Sequence, residues 1–395
     1  MKAWPLVARP IFPQVQRIMT NGFRCLHSAD LHLGRRFGNL PEEVRGRLIE
    51  ARHQILNRLA AAAREHGARD VFLAGDTFDT ETPSDAVWRQ ALAAMANADD
   101  LNWWILPGNH DSLAAETLWA RVITQASANI HVITNAEPIE LAPGVMMLPA
   151  PLPRRRPGRD LTDTMPQIAT PQGVLRIGLA HGPVQDFSEE GTSADAVIAP
   201  DRAKTAGLDY LALGDWHGQM SLGDRTAYSG TPEADGFRHT GRGACLAVTV
   251  RPNAPPHIER IETGQFHWSE VTLSLVPGLD PVHALTQLAP PSSAARRDHL
   301  LRVRATGRTT LAERLALQDH AQALAPDFAF FELDTQGLDT EIDAADLEAL
   351  DHGGALRIAA EDLVTQAKDP ARADTERRVA SGALNRLYAY LRDSA

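Results

Sequence analysis

Cysteine is nearly missing from this chain: Cys25 and Cys245 are the only two among 395 residues. That excludes a disulfide framework and a cysteine-rich zinc knot. Both lie in apolar, strand-like stretches, where buried free thiols are expected. Long apolar runs are missing too, and none approaches the roughly 20 residues needed to cross a bilayer. The segment through Thr20 holds three basic residues and three prolines, with no sustained apolar core and no clear cleavage site. Residues 1–21 therefore read as a disordered extension, with Met19 as an alternative start. Positive charge is also in short supply. A net charge of −11 excludes a generally basic nucleic-acid coat protein, although local patches can still bind a polyanion. An acidic balance suits a chain that gathers carboxylates around metal ions. A reducing cytoplasm, with no membrane, is the expected setting.

What is present is an ordinary globular composition, 44% apolar and 23% charged, at a length that suits two or three domains. From Phe23 to about Thr263, short apolar runs alternate with helical stretches. Phe23 to Leu26, Val71 to Leu73, Trp103 to Leu106, Leu175 to Leu179 and Tyr210 to Leu213 read as strands buried on both faces. Leu48, Ala51, Ile55, Leu59 and Ala62 recur at helical spacing and predict one amphipathic helix. Ala244 to Val250 and His257 to Ile261 read as a hairpin. Beyond Trp268 the pattern changes to a small unit: a strand over Leu300 to Val303, a helix over Thr310 to Ala325 and a strand over Phe328 to Leu333. A polar acidic stretch, Asp339 to Asp351, and two helical segments, Leu356 to Lys368 and Thr375 to Arg392, complete the chain. In the last, Ala380, Leu384, Leu387 and Leu391 form an apolar stripe.

Five short motifs follow strands in order. They are Asp30-Leu31-His32, Gly75-Asp76-Thr77-Phe78-Asp79, Gly108-Asn109-His110-Asp111, His181-Gly182 and Gly214-Asp215-Trp216-His217-Gly218. The C-terminal edge of an α/β sheet is where ligands usually bind. Imidazole, carboxylate and amide oxygen without thiolate suit manganese, with iron or zinc as alternatives. Two metals roughly 3.5–4 Å apart need a bridging carboxylate, and Asp76 is the natural candidate. Each motif alone is weak evidence, since a lone histidine at a strand end is usually structural. Their ordered recurrence is what carries weight.

This set resembles the calcineurin-like metallophosphoesterase superfamily. Leu26 to Gly34 (Leu-His-Ser-Ala-Asp-Leu-His-Leu-Gly), Leu73 to Thr80 (Leu-Ala-Gly-Asp-Thr-Phe-Asp-Thr) and Tyr228 to Glu233 (Tyr-Ser-Gly-Thr-Pro-Glu) are similar to the SbcD-type DNA repair exonucleases. The resemblance covers roughly Phe23 to Arg238. It implies an α/β fold, a sandwich of β-sheets flanked by helices with a smaller C-terminal α/β capping domain. The domains expected are 22–265 as catalytic, 266–350 as a DNA-binding cap and 351–395 as a helical segment for partner docking. It also implies that Asp30, His32 and His217 hold one metal, that Asn109 and His181 hold the other, and that Asp76 bridges both. His110 is then the acid beside the metals, and His27, Asp79 and Asp111 support the ligands. One departure stands out: the family reads Gly-His-x-His where this chain has Asp215 in place of the first histidine. Asp215 is expected to bind the second metal through oxygen, or to turn away and leave that metal weakly held.

Such a chain is expected to cut DNA phosphodiester bonds, as exonuclease and endonuclease, beside an SbcC-type ATPase; a homodimer is compatible with this. Arg35 and Arg36, directly after the first motif, and Arg154, Arg155 and Arg156, with Arg159 in the same proline-rich loop, are the candidate phosphate contacts. Arg302, Arg304 and Arg308 are expected on an ordinary exposed strand face. Trp103 and Trp104 are expected in the core, and Trp216 packed against its loop. Two alternatives compete: a phosphodiesterase for a small substrate such as a cyclic nucleotide, and a weakly active scaffold for an ATPase.

Overall fold

The computed structural model describes residues 22–184, 197–341 and 354–393. The expectations for residues 1–21 and for the end of the acidic stretch, residues 342–351, lie outside them. The chain divides into two compact units, Met1–His267 and Trp268–Ala395.

The strands are, in chain order, β1 Phe23–Ser28, β2 Asp70–Ala74, β3 Asn102–Leu106, β4 Ile130–Val132, β5 Ile139–Ala142, β6 Val145–Ala150, β7 Leu175–His181, β8 Tyr210–Gly214, β9 Met220–Leu222, β10 Thr226–Tyr228, β11 Gly241–Val250, β12 His257–Leu275, β13 His299–Thr310 and β14 Phe330–Glu341. In the first unit β1 to β4 run parallel in sequence order, and β11 closes the free side of β1 antiparallel. The second sheet has the order β5-β6-β7-β8-β10-β9, with β6, β7, β8 and β10 parallel.

Side chains alternate between the faces of a strand, and here both faces are apolar. Cys25, Phe72 and Trp104 point into a core shared with Met147, Ile177, Leu179 and Tyr210 of the second sheet. Leu26, Val71, Leu73, Trp103 and Ile105 point the other way, against helices Ile55–Glu65, Asp85–Ala96 and Glu116–Gln125. Leu148, Ala180, Leu211 and Leu213 cover the outer face of the second sheet with Met165, Ile198 and Leu208. Each such Leu or Ile contributes roughly 1.5–3 kcal/mol by burial. The result is the expected sandwich of sheets flanked by helices. Both cysteines are buried and free. The stripe from Leu48 to Ala62 is buried, but on two helices, Glu42–His53 and Ile55–Glu65, which meet at Gln54. There the Gln54 side chain is engaged by Glu50 and Asn57.

In the second unit, β13 and β14 are parallel neighbours joined by helix Leu311–Leu324, a βαβ unit. Thr310 and Glu313 start that helix with a reciprocal capping box. Leu301, Val303, Leu317 and Leu324 form its core. Helices Ala355–Lys368 and Asp374–Asp393 pack on each other through Ala360, Leu363, Leu384 and Leu387. No helix among the described residues is long and apolar enough to cross a membrane.

Candidate metal centre

Four of the motif-bearing loops leave the C-terminal ends of β1, β2, β3 and β8, and His181 itself is the last residue of β7. The first two loops are zipped by main-chain bonds, Asp30 N–H to Gly75 O at 3.1 Å and His32 N–H to Asp76 O at 2.9 Å. His181 is in register with Gly214, which sets Asp215 beside it. The backbone is bent hard here. Among the described residues six non-glycines have positive φ, and four are candidate ligands: Asp30 (54°), His32 (43°), Asp76 (54°) and Asp215 (103°). Such residues are uncommon, and their clustering at one point marks a functional site. Gly75 and Gly108 are required by close approach. A Cβ on Gly75 would collide with the His181 ring, and one on Gly108 with the Asp76 carboxylate.

The donor atoms converge. His32 Nε2 lies 3.1 Å from His217 Nε2 and 3.7 Å from Asp76 Oδ2. The same Asp76 oxygen lies 3.5 Å from His181 Nε2. His181 Nε2 is 3.3 Å from Asn109 Oδ1 and 3.8 Å from Asp215 Oδ1. Donor atoms of Asp30, His32 and His217 lie within 4.8 Å of one another, as do those of Asp30, Asp76 and His181. Asp76 Oδ2 thus faces both groups, while its Oδ1 accepts the His110 N–H at 2.9 Å.

Tautomers decide whether these atoms suit a cation. His181 Nδ1 donates to Ala74 O at 2.8 Å. His32 Nδ1 is 3.2 Å from Asp79 Oδ1, and His217 Nδ1 is 3.2 Å from Asp235 Oδ2. With each Nδ1 carrying the hydrogen, each Nε2 presents a lone pair inward. Two lone pairs facing each other at 3.1 Å repel unless a cation or a proton lies between them, so the donor set fits divalent metal. With no ion bound, the electrostatics put a proton on two of these rings, His181 and His217, which a divalent ion would displace. Burial lifts Asp30 to about 7 and lowers His32 to about 4. Burial opposes charge on His181, yet Asp76, Asp30 and Asp215 hold it well above the ordinary imidazole value. Burial also opposes charge on His217, and Asp235 outweighs it, raising that pKa to about 9. Burial penalises charge on Asp76, but His181, His32 and His110 keep its carboxyl below the usual range.

Further out, the Asp111 carboxylate accepts from Gly108 N–H at 2.7 Å and Phe78 N–H at 3.0 Å, tying the second and third loops together. His27 is not part of the candidate ligand groups. It is buried between the Tyr210 hydroxyl, 2.7 Å from Nδ1, and Leu213 O, 3.2 Å from Nε2, and so steadies the end of β8. His110 Nδ1 donates to Asp79 O at 3.0 Å. A cleft of about 450 Å3 opens over the site, lined by His32, Asp76, Asn109, His110, Asp215 and His217 among others. Arg35 lines it, but its guanidinium lies 3.0 Å from Asp235 and 3.9 Å from Asp79. Arg36, Arg154, Arg155 and Arg156 are exposed and do not line it. Arg302, Arg304 and Arg308 pair with Glu270, Glu332 and Glu341 inside the second unit. The Arg238 guanidinium sits over the Trp216 ring at 5.4 Å.

Sequence reasoning missed Asp235, which orients His217. It also missed Arg52, buried and donating to Leu31 O at 2.5 Å and Glu233 O at 2.9 Å. That arginine braces the loop of Asp30 and His32 against the loop of Asp235. An acid in a turn just past the Tyr228 to Glu233 segment was the only available signal for Asp235.

Residues 23–219 match the model of the calcineurin-like phosphoesterase family. The chain is 32% identical over 276 residues to the SbcD subunit of the SbcCD nuclease of Escherichia coli, in two strains, across 58% of this chain and 65% of that protein. It therefore spans 65% of the length of those curated relatives. Among solved structures it is similar to the purple acid phosphatase PPD1 of yellow lupin (Lupinus luteus) seeds, at 12% identity and a TM-score of 0.38 over 61% of this chain and 51% of that one. It is also similar to a dimetal phosphatase from Danio rerio, at 13% identity and a TM-score of 0.35 over 60% of this chain and 98% of that one.

Proposed function

Residues 23–219 belong to the calcineurin-like phosphoesterase family, and on that premise we propose that the chain is a two-metal phosphodiesterase acting on DNA. We further propose that it works in the cytoplasm as the nuclease subunit beside an SbcC-like ATPase. One observation supports the reaction class above all others: Asp76 Oδ2 stands between His32 Nε2 at 3.7 Å and His181 Nε2 at 3.5 Å, where one carboxylate can serve two ions. Similarity to a nuclease subunit supports the substrate.

In this reading Asp30, His32 and His217 hold the first metal, Asn109, His181 and Asp215 the second, and Asp76 both; manganese suits this oxygen-rich set. A bound pair of divalent ions supplies hydroxide near neutral pH and offsets charge on the phosphate. The protein supplies the rest. Asp79 and Asp235 fix the His32 and His217 tautomers, so those rings need no reorientation. Asp111 locks the loops that carry Asp76 and Asn109. The bond from His110 Nδ1 to Asp79 O leaves Nε2 as the atom that exchanges a proton with the leaving ester oxygen.

The test is hydrolysis of single- and double-stranded DNA, bis-p-nitrophenyl phosphate and cyclic nucleotides by the purified chain with manganese, iron or zinc. DNA cleavage that requires added metal is expected. Hydrolysis confined to cyclic nucleotides would refute the substrate, and no hydrolysis with any metal would refute the reaction.

A further inference from the structure

A second cavity, of about 380 Å3, opens beside the metal cleft, and the two share His217, Thr231, Ala234, Arg238 and His239. Among the described residues its lining contains no carboxylate, although the chain as a whole carries a net charge of −11. The charged groups on its wall are Arg238, Arg242 and Arg260, with His217 and His239 at the junction.

The arginines are held in place. Arg242 Nη1 donates to Gly264 O at 3.3 Å and also to Gln265 O, which positions the guanidinium without neutralising it. Arg260 Nη2 donates to Arg242 O at 3.0 Å. Its Nη1 bonds Glu262 at 2.9 Å, an exposed pair that solvent weakens, and Glu262 is not part of the lining. Gly241 adds main chain uncovered by a side chain to the same wall. Gly243 must lack a Cβ because one would collide with the Pro232 carbonyl. A cavity with fixed guanidinium groups, open peptide and no acid suits a phosphodiester.

We infer that this groove holds the phosphodiester adjacent to the one being cut, so that the enzyme selects polynucleotides over isolated diesters through Arg242 and Arg260. The inference rests on the DNA reading above and adds a named subsite to it. One phosphate then lies at the metals, and its neighbour follows the junction at His239 towards Arg242.

The experiment compares kcat/KM on a single-stranded oligodeoxynucleotide with kcat/KM on bis-p-nitrophenyl phosphate, which has no second phosphate. Arg242→Gln and Arg260→Gln should each lower the ratio of the two by roughly tenfold, the scale of one charge-assisted contact. Each should also reduce the salt dependence of oligonucleotide cleavage by about one unit of log–log slope. Arg242→Lys, which keeps the charge, should recover much of the ratio. Because Arg242→Gln removes two main-chain contacts, thermal melting accompanies the assay, and Arg260→Gln gives an independent reading if the first variant unfolds. A parental ratio and slope in Arg260→Gln and in any folded Arg242→Gln overturns the subsite. A parent that hydrolyses the small diester but no oligonucleotide overturns the DNA reading, and the subsite with it.

Discussion

Replacing Asp235 by alanine separates two effects that oppose each other in the present site. The carboxylate orients His217, with Oδ2 at 3.2 Å from Nδ1, and is itself clamped by Arg35 at 3.0 Å. Losing a carboxylate that orients a metal-bound histidine costs roughly 10–100-fold in metal affinity. Yet Asp235 also lifts the His217 pKa to about 9, so a metal must displace a proton at neutral pH. Below that value the parent should gain up to about tenfold in affinity per pH unit as His217 deprotonates. In Asp235→Ala burial, now opposed by Asp30 alone, pulls the imidazole pKa down, so that affinity gains little as pH rises above neutrality. Near pH 6.5 proton competition in the parent, on the order of 10²-fold, matches or outweighs the orientation cost, so the variant should bind manganese at least as tightly there. As pH rises towards about 9 the parent pulls ahead, and the variant's deficit should widen to the full orientation cost. The assay is a manganese titration by calorimetry at several pH values, with hydrolysis of bis-p-nitrophenyl phosphate followed alongside. Asp235→Glu should restore part of the affinity. If parent and Asp235→Ala bind manganese equally at every pH, Asp235 does not orient a ligand and the reasoning fails.

Asp76→Ala should abolish hydrolysis and reduce bound metal at both positions, as elemental analysis after dialysis will show; two retained metals per chain would remove Asp76 from its bridging role. Asp215→Ala should weaken one of two manganese sites, whereas Asp215→His should keep two sites with preference shifted towards ions that favour nitrogen. Unchanged manganese affinity in the alanine variant would mean that the contact of Asp215 Oδ1 with His181 at 3.8 Å has no counterpart on the metal. His110→Ala should slow turnover roughly 10²–10⁴-fold with both metals bound, and loss of metal in proportion to rate would make it a ligand instead. Burial lowers His27 from 6.5 to about 3, so the folded chain excludes a proton that the unfolded chain accepts. Stability from this source is complete above 6.5 and declines as pH falls towards 3, by up to about 1.4 kcal/mol per unit. Urea unfolding of His27→Gln should show a flatter acid limb than the parent.

The sheets and the five motifs were legible because both follow from local sequence. A strand buried on both faces must be a short apolar run, such as Val71 to Leu73, and a sharp turn after it must carry glycine or a small polar residue, as Gly75 and Asp76 do. Fold class and family followed from those strings. The groups that orient the ligands were less legible, because their selection is spatial. Asp235 reaches His217 from a loop seven residues past the short strand β10, too far from a strand end to read as a motif, and Arg52 supports Leu31 and Glu233 from a helix that read only as amphipathic. The pairing of Arg35 with the acids Asp235 and Asp79 was likewise not legible, since it is made between separate loops. The break at Gln54 was invisible to periodicity, since both helices keep the same buried stripe.

The position of β1 between β2 and β11 has a consequence for biosynthesis. β2 leaves the ribosome soon after β1, but Val250, which pairs with Phe23, is made roughly 200 residues later. At about 5–20 residues per second that interval is on the order of 10–40 s. Throughout it, the nascent chain exposes one unpaired edge of its central strand, a ready template for wrong partners. His217 and Asp235 are translated late in the same interval. The metal centre therefore cannot assemble on a growing chain until the catalytic unit is nearly complete: a chain halted before His217 has an open sheet and an incomplete ligand set, and one halted between Asp235 and β11 has every ligand but still an open sheet.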